Sequence, residues 1–461
     1  MPRRPLLEQT MTAAVEYLDS IGDRNVNALE GGDGMRARLA RPLPDRGDPD
    51  STIIAELAAA GAVGTVATQG RRYFGFVVGG SVPAATAADW LVSTWDQNAG
   101  VYVLSPITSV VEDIAGGWLK ELAGLPAAWS TGFVTGCQAA NFTSLATARH
   151  HMLAAAGWDV EARGLYGAPP LNVVCSDESH YTIFNALKLL GLGAERVTRV
   201  AADAQGRMRA DALAEAMAGI CGPTIVCAQA GNVNTGAFDP IDAIADITTR
   251  HGAWLHVDGA FGLWVAATAD RRHLVNGIAR ADSVATDAHK WLNVPYDSGI
   301  VFTAHPISHR RAMTLSAAYI IETAKERDPH EFVPEESRRA RAIPVYAALR
   351  SMGRQGVADV VERCCRLATR LGEALRQDDG LEVLNDVVIN QVLVRVRGDQ
   401  SGDATRAMIA RVQADGTCWA SGTTWHGMAA LRLSVSNYST TEADIDMTAA
   451  AIRRCAKGAK E

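Results

Sequence analysis

The feature that most constrains the fold is an alternation of short β-prone runs with helical patterns across the middle of the chain. A β-prone run at residues 130–134 leads into a helical pattern at about 138–155, and the alternation continues to residue 302. Strands separated by helices favour a mostly parallel sheet with helices on both faces, so the expected fold class is α/β. The further strand candidates are residues 173–175, 197–200, 224–227, 253–257, 283–286 and 300–302.

The segments on either side of this alternation predict two smaller parts. The first residues contain helical patterns at about 4–20 and 50–61, joined by a Gly-, Pro- and Arg-rich connector at 31–50, and hold too little apolar material to fold alone. Near the other end, a long helical region is followed by strand candidates, which indicates an α+β domain. The expected division is a helical segment at 1–72, a large domain at 73–342 and a small domain at 343–461.

Composition and charge narrow the functional classes. The 461 residues carry a formal net charge of −7, which gives no electrostatic footprint for nucleic acid or for an anionic membrane surface. No apolar stretch is long enough to span a bilayer, and no signal peptide is expected. The eight cysteines form no Cys-x-x-Cys unit, so neither a zinc site nor a disulfide framework is expected. These features indicate a cytoplasmic protein with no metal, nucleic-acid or membrane partner.

A turn of small residues, in the sequence TGFVTGCQAAN at residues 131–141, joins the first strand to the helix after it. The small residues at Gly136 and Cys137 let backbone N–H groups approach an anion, and the helix adds its positive dipole end. The motif is neither Gly-x-Gly-x-x-Gly nor a P-loop, which disfavours dinucleotide and triphosphate binding. An ordinary tight turn would have the same sequence, so the motif alone leaves both interpretations open.

Polar residues also follow three other predicted strands. His180 comes after the strand at 173–175, where an imidazole can stack on a flat ligand, but this segment is equally typical of a simple helix cap. Asp258 ends an apolar strand, and a buried carboxylate needs a partner, for which a protonated heterocycle nitrogen would serve. A further polar loop at 229–236 includes Asn232.

Lys290 follows the strand at 283–286, with His289 beside it and a turn after it. Alone, Lys290 would be interpreted as a solvated surface lysine. The carboxyl ends of strands in an open α/β sheet meet at one edge, however, so the glycine turn, His180, Asp258 and Lys290 are expected to lie together. They offer an anion cradle, a flat ring cover, a carboxylate and an amine. Pyridoxal 5′-phosphate needs these four groups, so the sequence predicts a site for this cofactor.

These motifs, in this order, resemble the pyridoxal-phosphate-dependent group II amino-acid decarboxylases, nearest to the aromatic-L-amino-acid decarboxylase branch, from about residue 72 to residue 446. The resemblance implies a fold-type I, aminotransferase-like fold and a homodimer with active sites at its interface. It implies that Lys290 is the Schiff-base lysine, Asp258 the partner of the pyridinium nitrogen and His180 the ring-stacking residue. The other cofactor contacts that it implies are Gly136, Cys137, Gln138, Asn232, Ala260 and His289.

One departure from the family pattern bears on the reaction. Where the family has a tyrosine on a mobile loop that protonates the decarboxylated product, residues 320–337 contain no tyrosine. Phe332 lies at or near that position, and Tyr319 lies just before the loop. In this family a phenylalanine there is associated with oxidative decarboxylation and deamination to an aldehyde, which makes Phe332 a candidate catalytic position.

A second departure bears on the substrate. The substrate pocket that the resemblance implies includes Phe74, Phe76 and Val78, with glycines at 75, 79 and 80 where bulkier residues are usual, which suggests a roomier or differently shaped pocket. This stretch carries no charged side chain, whereas an acidic substrate would need an arginine or lysine close by. The sequence therefore favours an aromatic or otherwise apolar L-amino acid.

The leading interpretation is decarboxylation of such an amino acid to its amine and carbon dioxide. Oxidative decarboxylation to an aldehyde, transamination or carbon–carbon cleavage would use the same cofactor and the same fold. An alternative of another class is that the protein binds the cofactor without turnover. Binding alone, however, would not require Lys290, Asp258 and His180 all to be intact.

Overall fold

The computed structural model describes residues 3–314 and 326–458, which form two compact units. The large unit comprises Gly79–Ala368 and Asn385–Gln391, and the small unit comprises Met1–Val78, Thr369–Leu384 and Val392–Glu461. The N-terminal residues therefore share a unit with the C-terminal ones, whereas the sequence predicts separate segments at 1–72 and 343–461. Each unit is assembled from segments that are distant in the chain.

The helices of the described residues agree with most of the predicted helical patterns. The helices labelled α2, α7, α9, α11, α13 and α14 below were not predicted, and α2 lies inside the supposed connector. The helices are α1 (Arg3–Ser20), α2 (Gly32–Leu39), α3 (Asp50–Gly64), α4 (Pro83–Trp95), α5 (Pro106–Ala123), α6 (Cys137–Ala155), α7 (Val160–Arg163), α8 (Tyr181–Leu189), α9 (Ala210–Ala218), α10 (Ile241–His251), α11 (Pro306–Met313), α12 (Ala342–Arg376), α13 (Asp403–Asp415) and α14 (Glu442–Lys457).

A seven-stranded sheet forms the centre of the large unit. Its strands are β1 (Ser130–Val134), β2 (Asn172–Ser176), β3 (Thr198–Val200), β4 (Thr224–Gln229), β5 (Trp254–Asp258), β6 (Ser283–Asp287) and β7 (Gly299–Thr303). Their order is β1-β7-β6-β5-β4-β2-β3, and only β7 runs antiparallel to its neighbours. Every residue of β4, β5, β6 and β7 is buried, as expected for strands covered on both faces. The predicted α/β class with a mostly parallel sheet is confirmed.

The helices that cover this sheet have clear sequence causes, and α10 is an example. Its apolar residues Ile241, Ile244 and Ile247 recur on one face and are buried. An acidic residue lies in its first turn and basic residues in its last, which complements the helix dipole. Gly252 then adopts a left-handed φ of 59° and ends the helix, because glycine takes that conformation without a steric penalty.

A buried ion cluster fixes the segment at 326–341 to α5. The carboxylate of Glu112, on α5, lies 2.8 Å from Nη1 of Arg338 and 3.4 Å from Nη2 of Arg327. Arg338 also donates to the backbone oxygens of Ala99 and Phe133. Because all three charged side chains are largely buried, the cluster holds this segment in one place within the large unit.

The small unit contains a four-stranded sheet in the order β10-β11-β9-β8. Its strands are β8 (Leu381–Val383), β9 (Gln391–Val396), β10 (Ser421–Trp425) and β11 (Met428–Ser434). The N-terminal segment packs within this unit: the backbone N–H of Val26 donates to Gly416, and the side chain of Asn437 donates to the carbonyl of Gln69. Of the residues that the structure describes, no helix combines the length and apolar character that a bilayer span requires.

Candidate active site

The candidate site lies at one edge of the seven-stranded sheet. β1, β2, β4, β5 and β6 all run in the same direction, so their carboxyl ends meet at this edge. The predicted residues Gly136, His180, Asn232, Asp258 and Lys290 each lie at or shortly after one of these strand ends. The topology therefore places at one edge the motifs that the sequence presents far apart.

Lys290 is paired with a buried carboxylate that the sequence analysis did not single out. Nζ of Lys290 lies 3.0 Å from Oδ2 of Asp287, the last residue of β6. Burial alone would lower the pKa of Lys290, but the charge of Asp287, its hydrogen bond and the charge of Asp258 outweigh burial and leave this pKa raised. Without cofactor, the amine is therefore held as an ammonium beside Asp287.

The glycine turn is tied to the same carboxylate. The backbone N–H of Cys137, at the first residue of α6, donates to Oδ1 of Asp287 over 2.6 Å. A Cβ added at Gly299 would collide with the backbone of Gly136, so glycine at 299 is needed where the turn approaches β7. Asp287 thus links the start of α6 to Lys290. Its sequence signal was the same as that of Asp258, an aspartate at the end of an apolar strand.

His289 lies between this turn and an exposed aromatic ring. Its imidazole stacks on Tyr296 with ring centroids 4.2 Å apart, and Nδ1 accepts a hydrogen bond from the backbone N–H of Ser298. Nε2 lies 3.5 Å from Oδ1 of Asp287. Burial lowers the pKa of His289, so the neutral ring with its proton on Nε2 fits these contacts.

Asp258 is the second buried carboxylate of the site, and its partners are neutral. Oδ2 accepts a hydrogen bond from Nδ2 of Asn141 over 3.0 Å, while Oδ1 accepts from the backbone N–H of Ala260 and lies 3.4 Å from Sγ of Cys137. Within the described part of the chain it has no salt bridge. Burial and the neighbouring Asp258 raise the pKa of the Cys137 thiol well above its usual value, so that contact also stays neutral. A buried carboxylate that forms no salt bridge lowers the stability of the folded protein, and a cationic group that binds beside it offsets this cost.

His180 occupies the N-cap position of α8, and its side chain does not cap the helix. Nδ1 of His180 instead lies 2.8 Å from Oγ1 of Thr182, and that oxygen is also 3.3 Å from Nδ2 of Asn141. Asn141 therefore joins His180 to Asp258. Sequence reasoning missed Asn141 and Thr182, because both lie within ordinary helical patterns.

The remaining predicted cofactor residues have different surroundings. Oδ1 of Asn232 accepts from the backbone N–H groups of Asn234 and Thr235, and its Nδ2 donates to the carbonyl of Glu178 over 3.4 Å. Ala260 is half-buried against the residues around Cys137, and its carbonyl accepts from the backbone N–H of Asp287. Gln138, in the first turn of α6, is exposed. The structure thus places Ala260 within the cluster, whereas the side chain of Asn232 holds its own loop together and binds the segment before His180.

Phe332 lies elsewhere in the large unit. It ends a 3₁₀ turn, Pro329–Phe332, and its ring packs edge-on against His309 with centroids 5.3 Å apart. His309 is hydrogen-bonded to Ser130, the first residue of β1, whereas the glycine turn follows the last residue of that strand. Within one chain, the structure therefore groups Phe332 with His309 and not with Lys290. Tyr319 lies outside the described residues.

The predicted substrate-pocket residues belong to the small unit. Phe74 is buried, and its backbone is hydrogen-bonded to Trp419 and Ser434. Phe76 is 59% exposed and leans on the ring of Trp419, which also stacks with Tyr73. Val78 is half-buried. Phe74 is thus an interior residue of this unit, whereas Phe76 presents its ring to solvent.

The glycines of this stretch do not create extra room. A Cβ at Gly75 would run into the ring of Trp419, within the small unit. Within the large unit, a Cβ at Gly79 would run into the backbone oxygen of Lys290, and the N–H of Gly80 donates to Oδ1 of Asn293 over 2.6 Å. These glycines are required by close packing, which corrects the expectation of a roomier pocket at these two positions.

The residues of the edge fit pyridoxal 5′-phosphate. Lys290 supplies an amine, His180 a planar ring, and the start of α6 a set of backbone N–H groups. The decisive observation is that the buried carboxylate of Asp258 forms no salt bridge among the described residues, because a protonated pyridine nitrogen is the kind of partner that it needs. Among the described residues, no group of three or more His, Cys, Asp and Glu side chains is placed to hold a metal ion.

Comparison with known proteins agrees with this fit. A family model described as the pyridoxal-dependent decarboxylase conserved domain matches residues 33–397. Cysteine sulfinic acid decarboxylase of Rattus norvegicus is 31% identical over 334 residues, which cover 69% of this chain and 66% of that relative, just under two thirds of its length. Aromatic-L-amino-acid decarboxylase of Bacillus atrophaeus is 26% identical over 400 residues, covering 85% of this chain and 81% of the relative.

The fold has a solved counterpart. The crystal structure of Oryza sativa TDC with PLP and tryptamine superposes with a TM-score of 0.91 at 23% identity, covering 99% of this chain and 97% of that one. This likeness confirms the predicted fold-type I architecture. The match to the family model, which spans most of the chain, confirms the predicted family and cofactor. The chain belongs to the pyridoxal-dependent decarboxylase family, and its cofactor is pyridoxal 5′-phosphate.

Proposed function

We propose that the protein catalyses the decarboxylation of an L-amino acid to its amine and carbon dioxide. The observation that carries this proposal is the buried carboxylate of Asp258, which has only neutral partners and lies at the same sheet edge as Lys290. Pyridoxal phosphate, when bound, supplies an electron sink for the bond that breaks at the substrate Cα. A carboxylate at its ring nitrogen keeps that nitrogen protonated, and thereby strengthens the sink.

The residues of the edge would divide the work as follows. Lys290 would hold the cofactor covalently through its amine, Asp258 would pair with the ring nitrogen, and His180 would cover the ring face. The backbone at the start of α6 would hold the phosphate. Gly136, Cys137 and Gln138 would form this phosphate site. Ala260 would lie beneath the ring, Asn232 would approach the ring substituents, and His289 would lie near the phosphate or the substrate carboxylate.

For the substrate we favour an aromatic or otherwise apolar side chain. Phe76 presents an exposed ring supported by Trp419, and both Phe76 and Val77 adopt left-handed backbone with φ of 52° and 59°. Such a conformation costs about 1–3 kcal/mol per residue and tends to persist at functional sites. We therefore keep Phe76 and Val78 as proposed substrate-pocket residues. An acidic substrate is the second candidate, because the relative at 31% identity is named for cysteine sulfinic acid.

The test is product analysis of the cofactor-loaded protein across the L-amino acids and cysteine sulfinic acid. We expect amine and carbon dioxide in equal amounts, with the highest kcat/KM for an aromatic substrate, and no product from Lys290→Ala. Keto acid without carbon dioxide would contradict decarboxylation, and no turnover with any substrate would indicate a binding protein. Aldehyde with oxygen uptake would favour the oxidative alternative. A higher kcat/KM for cysteine sulfinic acid would replace the aromatic substrate with an acidic one.

The contribution of Phe76 can be tested separately. Phe76→Ala should raise KM for the best aromatic substrate and change kcat less, because it removes a contact to the side chain and none to the reacting atoms. Tyr166→Ala is a matched control, since Tyr166 is an aromatic residue of the large unit that is almost fully exposed. Equal KM values for both variants would remove Phe76 from the pocket.

We also propose that the chain forms a homodimer through α1. Leu7, Met11, Val15 and Leu18 recur at helical spacing on α1 and are all exposed. An apolar stripe of this kind marks an interaction surface. Sedimentation of the double variant L7E/M11E should show a loss of dimer, whereas Leu43→Glu, at an exposed leucine outside α1, should not. A monomeric wild type, or a double variant that stays dimeric, would contradict this interface.

A further inference from the structure

We propose that Asn141 is the junction of a buried, one-directional hydrogen-bond network that positions both Asp258 and His180 and sets the tautomer of His180. The catalytic meaning of this inference rests on the proposed function, but the network itself belongs to the folded chain. It consists of Trp254, Ser283, His256, Asn141, Asp258, Thr182 and His180, which come from β5, β6, α6 and α8.

The direction of the network can be derived from Asp258. Its carboxylate only accepts, so the atom of Asn141 that faces it over 3.0 Å must be the Nδ2 amide. The other end of the same side chain is then the Oδ1 carbonyl, which lies 2.9 Å from Nε2 of His256. A carbonyl oxygen cannot donate, so His256 must carry a proton on Nε2.

The contacts at the Trp254 end of the network agree with this direction. Burial lowers the pKa of His256 to about 4, so the ring is neutral at physiological pH and its Nδ1 is an acceptor. Nδ1 lies 2.9 Å from Oγ of Ser283, which must therefore donate. That leaves the serine oxygen free to accept from the indole N–H of Trp254, a group that can only donate, and the distance is 2.9 Å.

A second branch of the network connects Asn141 to His180 through Thr182. Nδ2 of Asn141 has a second hydrogen, and it points to Oγ1 of Thr182 at 3.3 Å. Once that oxygen accepts from Asn141, its own hydroxyl proton is available for Nδ1 of His180 at 2.8 Å. A hydroxyl oxygen has two lone pairs and can accept twice, so the contacts alone allow either direction for this last bond. In the direction that we propose, Thr182 donates, Nδ1 of His180 accepts, and the ring of His180 carries its proton on Nε2.

Burial fixes the direction of the network from Trp254 to Asp258. Asn141, His256 and Ser283 are fully buried, and Thr182 and Trp254 are nearly so. Reversing a bond between Trp254 and Asp258 would leave a buried donor facing a donor or an acceptor facing an acceptor, which is costly in a low-dielectric interior.

The first test reads the tautomer directly. Solid-state nitrogen NMR of histidine-labelled protein, with His180 assigned by the signal that His180→Gln removes, should show the proton on Nε2 with or without cofactor. Thr182→Val should produce a mixture of tautomers, while Thr182→Ser, which keeps the hydroxyl, should preserve the wild-type pattern. A wild-type His180 protonated on Nδ1, or an unchanged pattern in Thr182→Val, would overturn the proposal. The wild-type result stands even if a variant fails to fold.

The second test asks whether the junction matters to the reaction. Asn141→Leu keeps the volume but removes all three hydrogen bonds, so Asp258 and His180 lose their common support. We expect kcat to fall on the order of 100-fold with a smaller change in KM, and the visible absorption of the bound cofactor to shift. Unchanged kcat and absorption in a folded variant would overturn the positioning role. If the wild type itself decarboxylated nothing, the proposed function would fail while the tautomer result remained valid.

Discussion

Two aspartates end neighbouring strands of the sheet, and their surroundings differ in one decisive way. Asp258 ends β5 and Asp287 ends β6, and both side chains are almost completely buried. Asp287 is neutralised within the chain by Lys290 and by the start of α6. Asp258 receives hydrogen bonds only from uncharged groups. The same sequence signal therefore produces one carboxylate that forms an internal ion pair and one that forms no salt bridge among the described residues.

This difference assigns a different part of the site to each residue. Asp287 keeps Lys290 charged and fixed next to the glycine turn, so it sets the pH at which the amine becomes available to the cofactor. Asp258 is held in place by Asn141, and we propose that it pairs with the ring nitrogen of the bound cofactor. A third buried carboxylate, Glu112, is paired with two arginines that also bind the backbone of β1, and it illustrates a purely structural role.

The largest effect is expected at Lys290. Lys290→Ala should abolish turnover and the visible absorption of the bound cofactor, because Lys290 is the one lysine in the sequence between β6 and β7. Lys290→Arg is the matched control: it keeps a cation beside Asp287 and so should preserve folding, but it should be equally inactive. Activity in either variant above the background of the assay would contradict the assignment.

Asp258→Asn should lower kcat by about 100- to 1,000-fold, because the neutral amide cannot stabilise a charge on the cofactor's ring nitrogen. The substitution keeps the size of the side chain and its contact with Asn141, so folding should be retained. Steady-state kinetics with the best substrate would measure the effect. A loss of less than tenfold would mean that the two aspartates do not differ as proposed.

Glu112→Gln should lower the free energy of unfolding by about 3–5 kcal/mol, because it leaves buried Arg338 without its carboxylate. Glu121→Gln, on the same helix, breaks only an exposed ion pair with Arg354 and should cost less than about 1 kcal/mol. Chemical denaturation of both variants would test this contrast. A similar loss of stability in the two, or a loss of kcat in folded Glu112→Gln, would contradict a purely structural role.

Asp287→Asn should have the smallest effect, on the pH dependence of cofactor uptake. Removing this carboxylate leaves burial to dominate, so the pKa of Lys290 falls and the neutral amine becomes available at lower pH. The rate of cofactor incorporation into the empty protein should therefore rise at a lower pH than in the wild type. Asp282→Asn, just before the start of β6, should leave the profile unchanged. Identical profiles for Asp287→Asn and the wild type would show that Asp287 does not control Lys290.

Much of the sheet edge could be predicted from the sequence, because each motif is a polar residue directly after an apolar run. Lys290 and Asp258 were singled out in this way, and they remain predictions as functional residues. Asp287 carried the same signal but was taken as part of the lysine motif. Asn141 could not be recognised, since it lies in a helical pattern and its partner Asp258 is 117 positions away.

The division into two units could not be predicted from the local sequence pattern. The small unit combines the N-terminal helices with two later segments, and the contacts that join them, such as Val26 with Gly416, have no counterpart in local periodicity. The position of Phe332 also depends on contacts between residues that are distant in the sequence. The resemblance aligned it with a catalytic loop, but the buried pair of Glu112 and Arg338 holds its segment beside β1.

The most direct test of the account is to find where the cofactor is attached. The cofactor-loaded protein is reduced with borohydride, digested and analysed by mass spectrometry, and the adduct is assigned among the six lysines of the chain. We expect the adduct on Lys290 in the wild type and no adduct at this position in Lys290→Arg. An adduct on another lysine, or an unchanged adduct in Lys290→Arg, would contradict the assignment of this strand edge as the active site.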